Sequence, residues 1–177
     1  ANYQFDDAIT LAKAFIKNAP TTSIQTIACE QAYATIWKAY PWDWTLASLT
    51  GISLVDGQQD YTISNSDFWR LKDARITRTD LTPNRYQELT LLENLPPELS
   101  LKVGWGGFSS VCRDAKTGKL RLERAAQVPS GTTMQIDGTY QKQPTKITST
   151  SSTLESPDYY FQTFVEMLLY YFYKFGD

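Results

Sequence analysis

Apolar residues recur at helical spacing at both ends of this chain and at alternate positions between them. Near the N-terminus, two stripes repeat every three or four residues: the first is Phe5, Ile9, Ala12 and Ile16, and the second is Ile24, Ile27, Ala28, Ala32 and Ile36. This spacing places each stripe on one face of an α-helix. Asn18-Ala19-Pro20 separates the stripes, and Pro41 ends the second because the residue before a proline avoids helical geometry. The pattern predicts two antiparallel helices over residues 6–17 and 23–39.

A third helical pattern, residues 157–175, is apolar over most of its circumference. Its broad face consists of Phe161, Phe164, Val165, Leu168, Leu169 and Phe172. The polar remainder is a thin stripe of Tyr159, Gln162, Thr163, Glu166, Tyr170 and Tyr173. The run is shorter and more interrupted than the roughly 20 apolar residues that span a bilayer. We therefore expect the broad face to pack on the N-terminal helices and a further set to contact another subunit: Tyr160, Met167, Tyr171 and Phe175.

Between the helical patterns the chain follows the two-residue period of β-strands. Strands are predicted over residues 45–54, 59–63, 71–79, 102–112, 119–124 and 133–140. Asp56-Gly57 is a turn signal, and Asp137-Gly138 indicates a turn or a bulge within the last strand. Residues 143–156 are rich in Ser and Thr and have no pattern, which predicts a mobile connection.

This order of elements predicts an α+β fold with an inserted domain. A lone amphipathic helical hairpin needs a third helix to bury its stripes, and the closing helix is the only candidate. We therefore expect a helical bundle formed by the N-terminal helical hairpin, in residues 1–44, and the C-terminal helix, in residues 151–177. An antiparallel β domain over residues 45–150 would interrupt it. The alternative is two independent halves.

Charge and composition argue against a nucleic-acid binder and leave little catalytic equipment. The chain has 17 basic and 19 acidic residues, a net charge of −2, so no strong basic field is present to hold a polyanion. It has no histidine, the side chain most used for acid–base catalysis near neutral pH and the commonest zinc ligand. Cys29 and Cys112 lack metal-type spacing and are predicted to be buried free thiols in a reducing cytoplasm, with a disulfide left open.

Two short motifs match catalytic signatures only in part. Gly104-Trp105-Gly106-Gly107 lacks the third glycine of a phosphate-binding loop, and no helical pattern follows it. Lys116-Thr117-Gly118 matches one box of the penicillin-binding enzymes, but no Ser-x-x-Lys box accompanies it. A hairpin turn over residues 114–118 is the favoured interpretation.

Carboxylate pairs are the remaining catalytic option. Asp56 with Asp60, or Glu93 with Glu98, could flank a glycosidic bond while exposed aromatic rings stack on sugars. The simpler interpretation places Asp56 in a turn and the two glutamates in a solvated connection. We therefore expect no enzyme, no cofactor and no metal. A carbohydrate-binding β module on a helical stalk stays open as an alternative.

Trp42-Asp43-Trp44 is the most distinctive local feature of the chain. Two indoles on either side of one acid, just after a helix-ending proline, could form a ligand platform. More often such a pair fills the seam between two structural units, and Asp43 would then cap backbone amides. We expect the inter-domain seam.

The same element opens a progression that resembles the head-to-tail adaptor proteins of tailed bacteriophages, called tail tubular proteins in short-tailed phages. Those proteins show a "W-x-W, then G-x-x-x-Y-x-L-P, then F-x-R-L-x-x-V" order. Here Trp42-Asp43-Trp44 is followed by Gly57-Gln58-Gln59-Asp60-Tyr61-Thr62-Ile63-Ser64 and by Phe68-Trp69-Arg70-Leu71-Lys72-Asp73-Ala74. Tyr140 and Pro144 then precede the closing helix. The chain departs from the pattern at Ser64, where a proline is usual, and in a long hairpin over 104–119.

The resemblance implies a structural virion protein. Identical subunits would form a closed cyclic oligomer, a ring of about twelve copies under the portal. This ring would extend the DNA channel without sequence-specific DNA binding and join a tail or tail-nozzle protein. It would be assembled in the host cytoplasm and lie at the neck of the virion, with no membrane partner. Tyr160, Met167, Tyr171 and Phe175 would then contact a neighbouring subunit or the portal. A tail-completion or tail-terminator protein is the nearest alternative.

Overall fold

The computed structural model describes residues 2–93, 110–114 and 117–175. Its helices are α1 (Phe5–Lys13), α2 (Thr22–Ala39) and α3 (Phe161–Phe175). Its strands are β1 (Leu46–Ser48), β2 (Ile52–Ser53), β3 (Asp60–Tyr61), β4 (Phe68–Arg78), β5 (Arg85–Leu92), β6 (Ser110–Arg113), β7 (Leu120–Leu122) and β8 (Met134–Lys142). The fold is mixed α+β. The chain divides into two compact units, a helical unit of Ala1–Thr45 with Pro144–Asp177 and a β unit of Leu46–Gln143.

Helix α1 begins one residue earlier than predicted and ends four residues sooner. At its start the backbone N–H of Gln4 donates to the Asp7 carboxylate over 2.8 Å, which satisfies a donor that the helix leaves open. At its end the N–H groups of Phe15 and Ile16 bond to carbonyls three residues back instead of four. The last turn therefore tightens and the helix stops before Asn18.

The three helices share one hydrophobic core, and α3 packs against both α1 and α2. From α3 the core takes Phe164, Val165, Leu168 and Phe172. From the N-terminal helices it takes Phe5, Ala8, Ile9, Ala12, Ala28, Cys29, Ala32, Tyr33, Ile36 and Trp37. The prediction for Ile27 is wrong, because its side chain is 51% exposed. The buried face of α2 is turned instead toward Tyr33 and Trp37, whose rings fill more space than the predicted stripe.

The Ser/Thr-rich connection is tied to the N-terminus instead of hanging free. The N–H of Asp6 donates to Thr150 O, and the N–H of Leu154 donates to Tyr3 O, both over 2.9 Å. Leu154 is also buried in the helical core. These bonds use the donors and acceptors that a segment without regular structure must place somewhere, so the prediction of a mobile connection is corrected.

The strands of the β unit form one sheet in the order β1-β8-β4-β5-β6-β7-β3, and β2 also pairs with β8. Every pair is antiparallel except β5 with β6, which is parallel. The sequence did not predict β5, because Arg85–Glu88 are exposed on both faces and show no alternation. The predicted strand over 45–54 is two short strands, β1 and β2. Residues 102–109 of the predicted strand 102–112 lie outside the described part, and so do the glycine-rich motif at 104–107 and Lys116.

Strand β8 runs straight through Asp137-Gly138, where the sequence predicted a turn or a bulge. The irregularity lies instead on the facing strand, β4. There Leu71 pairs with Tyr140 and Asp73 pairs with Thr139, so β4 has one extra residue between them. Gly138 pairs with Ala74, just after this extra residue, and a Cβ atom at Gly138 would lie 2.2 Å from Asp73 O. The glycine thus allows the close approach of the bulged strand.

The sheet has its own core, separate in sequence from that of the helices. It consists of Leu49, Leu54, Tyr61, Phe68, Ala74, Ile76, Leu89, Val111, Leu120, Leu122, Ala126, Ile136 and Tyr140. Cys29 and Cys112 are both buried and neither is in a disulfide, which confirms the prediction of buried thiols. Burial raises the pKa of the Cys29 thiol to about 12, so this sulfur is inert at neutral pH.

Candidate interaction surface

Trp42 and Trp44 both pack on residues of the helical unit. The Trp42 Nε1–H donates to Ile36 O over 2.8 Å, and its ring lies 5.0 Å from the Tyr160 ring. The Trp44 ring meets Trp37 edge-on at 5.0 Å and lies 6.2 Å from Tyr33 in a near-parallel stack. Together these rings form an aromatic cluster near the C-terminal end of α2. That the two indoles also line a seam with the β unit stays a prediction.

Asp43 does not cap backbone amides as the sequence predicted. Its side chain is exposed, and its carboxylate accepts no hydrogen bond from the residues that the structure describes. The short 3₁₀ turn Asp43–Thr45 is closed instead by Thr45, whose N–H and hydroxyl both donate to Trp42 O, over 2.8 and 2.7 Å. A hydroxyl is short enough to bond its own turn, which leaves Asp43 pointing to solvent.

The four side chains predicted for a subunit or portal interface are half-buried. Met167, Tyr171 and Phe175 pack against the helical core. The Tyr171 hydroxyl lies 2.9 Å from the Thr35 hydroxyl, and its ring lies 5.7 Å from that of Phe175. Tyr160 lies beside Trp42 and Tyr159, and desolvation raises the pKa of its hydroxyl. Each therefore already uses part of its surface for contacts within the chain, and the interface assignment stays a prediction.

The side of α3 that faces away from the helical core is exposed. This outer face consists of Gln162, Thr163, Glu166, Tyr170, Tyr173 and Lys174. Tyr170 is 58% and Tyr173 is 63% exposed, and Tyr159 just before the helix is 77% exposed. In the sequence these tyrosines counted as a thin polar stripe, which understated their area. A tyrosine carries a large apolar ring below its hydroxyl, so this face is wide and aromatic.

An open groove of about 290 Å³ lies in the β unit. The residues that line it include Trp69, Arg70, Leu71, Leu92 and Arg113. The Arg70 guanidinium lies 4.6 Å from the centre of the Trp69 ring. The sequence did not single out this site, because Arg70 and Arg113 come from strands that are far apart in the chain.

Of the four carboxylates considered for catalysis, the two aspartates have structural roles. Asp56 Oδ1 accepts the Val128 N–H over 2.9 Å. Asp60 accepts two hydrogen bonds from Arg121, over 2.7 and 2.9 Å, and these lower the pKa of its carboxyl. Glu93 is exposed beside the groove, while Glu98 lies outside the described residues.

Neither a metal site nor a membrane span is found in the part of the chain that the structure describes. That part holds no group of three or more Cys, Asp and Glu side chains that could bind a metal. None of the helices in that part is both long and apolar enough to cross a bilayer. No family model and no curated protein sequence matches the chain.

Proposed function

We propose that this protein is a structural virion component, a head-to-tail adaptor that forms a ring under the portal, extends the DNA channel and joins the tail. The proposal rests on the ordered motifs that resemble the adaptors. It takes the helical unit as a helical bundle and the β unit as a domain inserted into it. Its partners would be further copies of itself, the portal, and a tail or tail-nozzle protein.

The observation that supports assembly best is the outer face of α3. Tyr159, Tyr170 and Tyr173 expose most of their area within the single subunit. Tyrosine is enriched at protein interfaces, because its ring offers apolar area and its hydroxyl a hydrogen bond. A subunit that is packed on both sides in a ring would use this face together with the exposed parts of Tyr160, Met167, Tyr171 and Phe175.

Charge supports a channel in which DNA slides. The helical unit carries five basic and eight acidic residues, a net charge of −3, and the β unit carries twelve basic and eleven acidic, a net charge of +1. Neither unit offers the phosphate-neutralising excess that holds DNA tightly. Passing DNA would therefore meet weak, sequence-independent contacts.

The first test locates the protein. We expect purified particles to contain it in a fixed copy number, and images of particles labelled through this protein to show the label between head and tail. A label at the far end of the tail would favour the tail-terminator alternative. Hydrolysis of a glycan, peptide or nucleotide that one carboxylate substitution abolishes would contradict a purely structural role.

A second test compares two double variants of α3. Tyr170→Glu with Tyr173→Glu should fold normally and fail to enter particles, because it charges exposed rings only. Tyr171→Glu with Phe175→Glu should also lower the melting temperature, because these rings pack on the core. Thr10→Glu with Gln31→Glu, on exposed positions of α1 and α2, adds the same charge as a control. Normal incorporation of the Tyr170/Tyr173 variant would exclude the outer face as an interface.

A further inference from the structure

The face of the sheet opposite its hydrophobic core carries two rows of polar side chains that cross the strands. The first row is Glu88, Arg75 and Asp137, and the second row is Tyr86, Thr77, Gln135 and Ser53. Ile76 and Ile136 alternate with these residues along β4 and β8 and belong to the core on the other face. Residues that pair directly across antiparallel strands share one face and lie about 5 Å apart. The two rows therefore form one continuous polar surface over β5, β4, β8 and β2.

The charged groups of the first row do not satisfy one another. Arg75 lies between two carboxylates, but its guanidinium approaches the Tyr86 ring instead, 5.4 Å from the ring centre. Neither Arg75 nor Glu88 forms an ion pair or a side-chain hydrogen bond among the residues that the structure describes. Asp137 Oδ1 accepts a hydrogen bond from Gln135 Nε2 over 2.7 Å, which leaves the second carboxylate oxygen uncommitted. The row therefore offers free donors directly beside free acceptors.

Tyr86 exposes a large ring beside these polar groups. Its side chain is 64% exposed, more than any other large hydrophobic side chain of the β unit in the described part of the chain. Much of the ring therefore stays in contact with water although Arg75 approaches it. Thr77, which separates Tyr86 from Gln135, is buried, so the ring and the amide stand above it. A ligand that stacks on this ring lies within reach of the donors and acceptors of both rows.

The composition of the two rows restricts the class of ligand. Their three charged side chains sum to −1, which disfavours a polyanion such as a nucleic acid. A protein interface has an apolar core, whereas these rows contain a single aromatic ring among polar groups. A sugar matches the surface better, because each of its hydroxyls both donates and accepts and the C–H face of its ring stacks on an aromatic side chain.

We propose that this surface binds a neutral oligosaccharide. One pyranose ring would stack on Tyr86, and its neighbouring hydroxyls would accept hydrogen bonds from Arg75 and donate to Glu88. Hydroxyls of the next ring would meet Gln135 and Asp137. Neighbouring strands are roughly 5 Å apart, close to the length of one pyranose, so a chain of sugars laid across the strands meets successive side chains. The site is independent of the ring assembly proposed above, since every residue of the two rows belongs to the β unit.

The test is a titration of the full chain, followed by NMR, with tetrasaccharides of glucose, galactose and N-acetylglucosamine. At least one should saturate at millimolar concentration and shift amide signals of β4, β5 and β8. Sorbitol, a polyol without a ring, should not saturate, because it has no flat face to stack on Tyr86. Tetragalacturonate should bind at least about threefold more weakly than the galactose tetramer, because Glu88 and Asp137 repel its carboxylates. Failure of all three neutral sugars, saturation by sorbitol, or a preference for the uronate would overturn the proposal.

Variants locate the site. Tyr86→Ala should weaken binding at least about tenfold, whereas Tyr86→Phe, which keeps the ring, should stay within about threefold. Arg75→Gln should cost roughly tenfold through the lost charge-assisted hydrogen bonds, and it tests the surface even if Tyr86→Ala melts early. Phe15→Ala is the matched control, because it removes a ring that is 63% exposed from the helical unit, and it should change affinity less than about twofold. Unchanged affinity in Arg75→Gln, or equal losses in Tyr86→Ala and Phe15→Ala, would contradict the proposed site.

Discussion

Trp42 and Trp44 differ at one atom in a way that experiment can measure. The indole N–H of Trp42 donates to Ile36 O, whereas Trp44 Nε1 is buried without a hydrogen-bond partner in the described part of the chain. A buried donor without a partner costs about 1–3 kcal/mol. The hydrogen bond therefore stabilises the fold at Trp42, whereas burial of the Trp44 N–H destabilises it, although both rings belong to one aromatic cluster.

Trp42→Phe and Trp44→Phe form a matched pair. Both remove an indole, but only the first also breaks a hydrogen bond, while the second relieves an unsatisfied donor. We expect Trp44→Phe to be the milder change by about 1 kcal/mol in the free energy of unfolding, measured in urea. Truncation to Ala at either position should cost about 3 kcal/mol, near the lower end for large aromatics. A costlier Trp44→Phe would contradict the assignment of its nitrogen as unpartnered.

The Asp60–Arg121 pair sets a pH dependence. Because Arg121 lowers the pKa of Asp60 in the folded state, this contribution is present above the unfolded value of about 3.9 and disappears as the pH falls through the folded pKa. The side chains are about one third exposed, so the contribution should stay below about 1 kcal/mol. The urea midpoint should fall more steeply for wild type than for Asp60→Asn below about pH 4. Parallel curves would show that the pair contributes nothing.

Gly138 is decisive for the central strand pair of the sheet. A methyl group there would overlap Asp73 O on β4, and backbone cannot move aside as a side chain can. Gly138→Ala should therefore destabilise the protein by about 2–3 kcal/mol, the upper part of the range for overpacking. Gly51→Ala is the control, because its Cβ would meet only the flexible end of Gln135 at 3.0 Å. Similar losses for the two variants would mean that the strands shift to accommodate the added methyl group.

Helix α3 shows how one element divides its circumference. Its buried face belongs to the core of the helical unit, the flanking residues Met167, Tyr171 and Phe175 are half-buried, and the outer face is exposed and rich in tyrosine. The sequence predicted the first face from the spacing of large aliphatic and aromatic residues. It could not rank the others, because a tyrosine suits both a core edge and an exposed surface.

At the scale of the whole molecule, the chain enters and leaves the β unit on neighbouring strands. Leu46 of β1, the first residue of the unit, pairs with Gln141 of β8, which lies two residues before its last, so these two residues are about 5 Å apart. We expect a chain in which residues 46–143 are replaced by a short Gly/Ser linker to keep a helical circular dichroism spectrum and unfold cooperatively. The matched fragment, residues 46–143 alone, should keep β structure, since its core comes from within the unit. An unfolded helical chain would show that the helices depend on the β unit.

Sequence alone determined the parts of this protein that depend on near neighbours. Periodic apolar positions predicted all three described helices, and Asp56-Gly57 predicted the turn in which Gly57 takes a positive φ of 78°. These signals are local, because a helix repeats every few residues and a turn needs one permissive glycine. Within the stripe predicted for α2, the residues Ala28, Ala32 and Ile36 are buried as expected, whereas Ile24 is half-buried and Ile27 is exposed.

Tertiary structure decided what depends on distant partners. Strand β5 exists because β4 and β6 pair with it, although its own residues lack a strand pattern. The outer face of α3 is defined only once α1 and α2 occupy the opposite side. Arg70 and Arg113 become neighbours of one groove only when β4 and β6 join the same sheet. Strand pairing and burial join residues far apart in sequence, and no local period records which residues will meet.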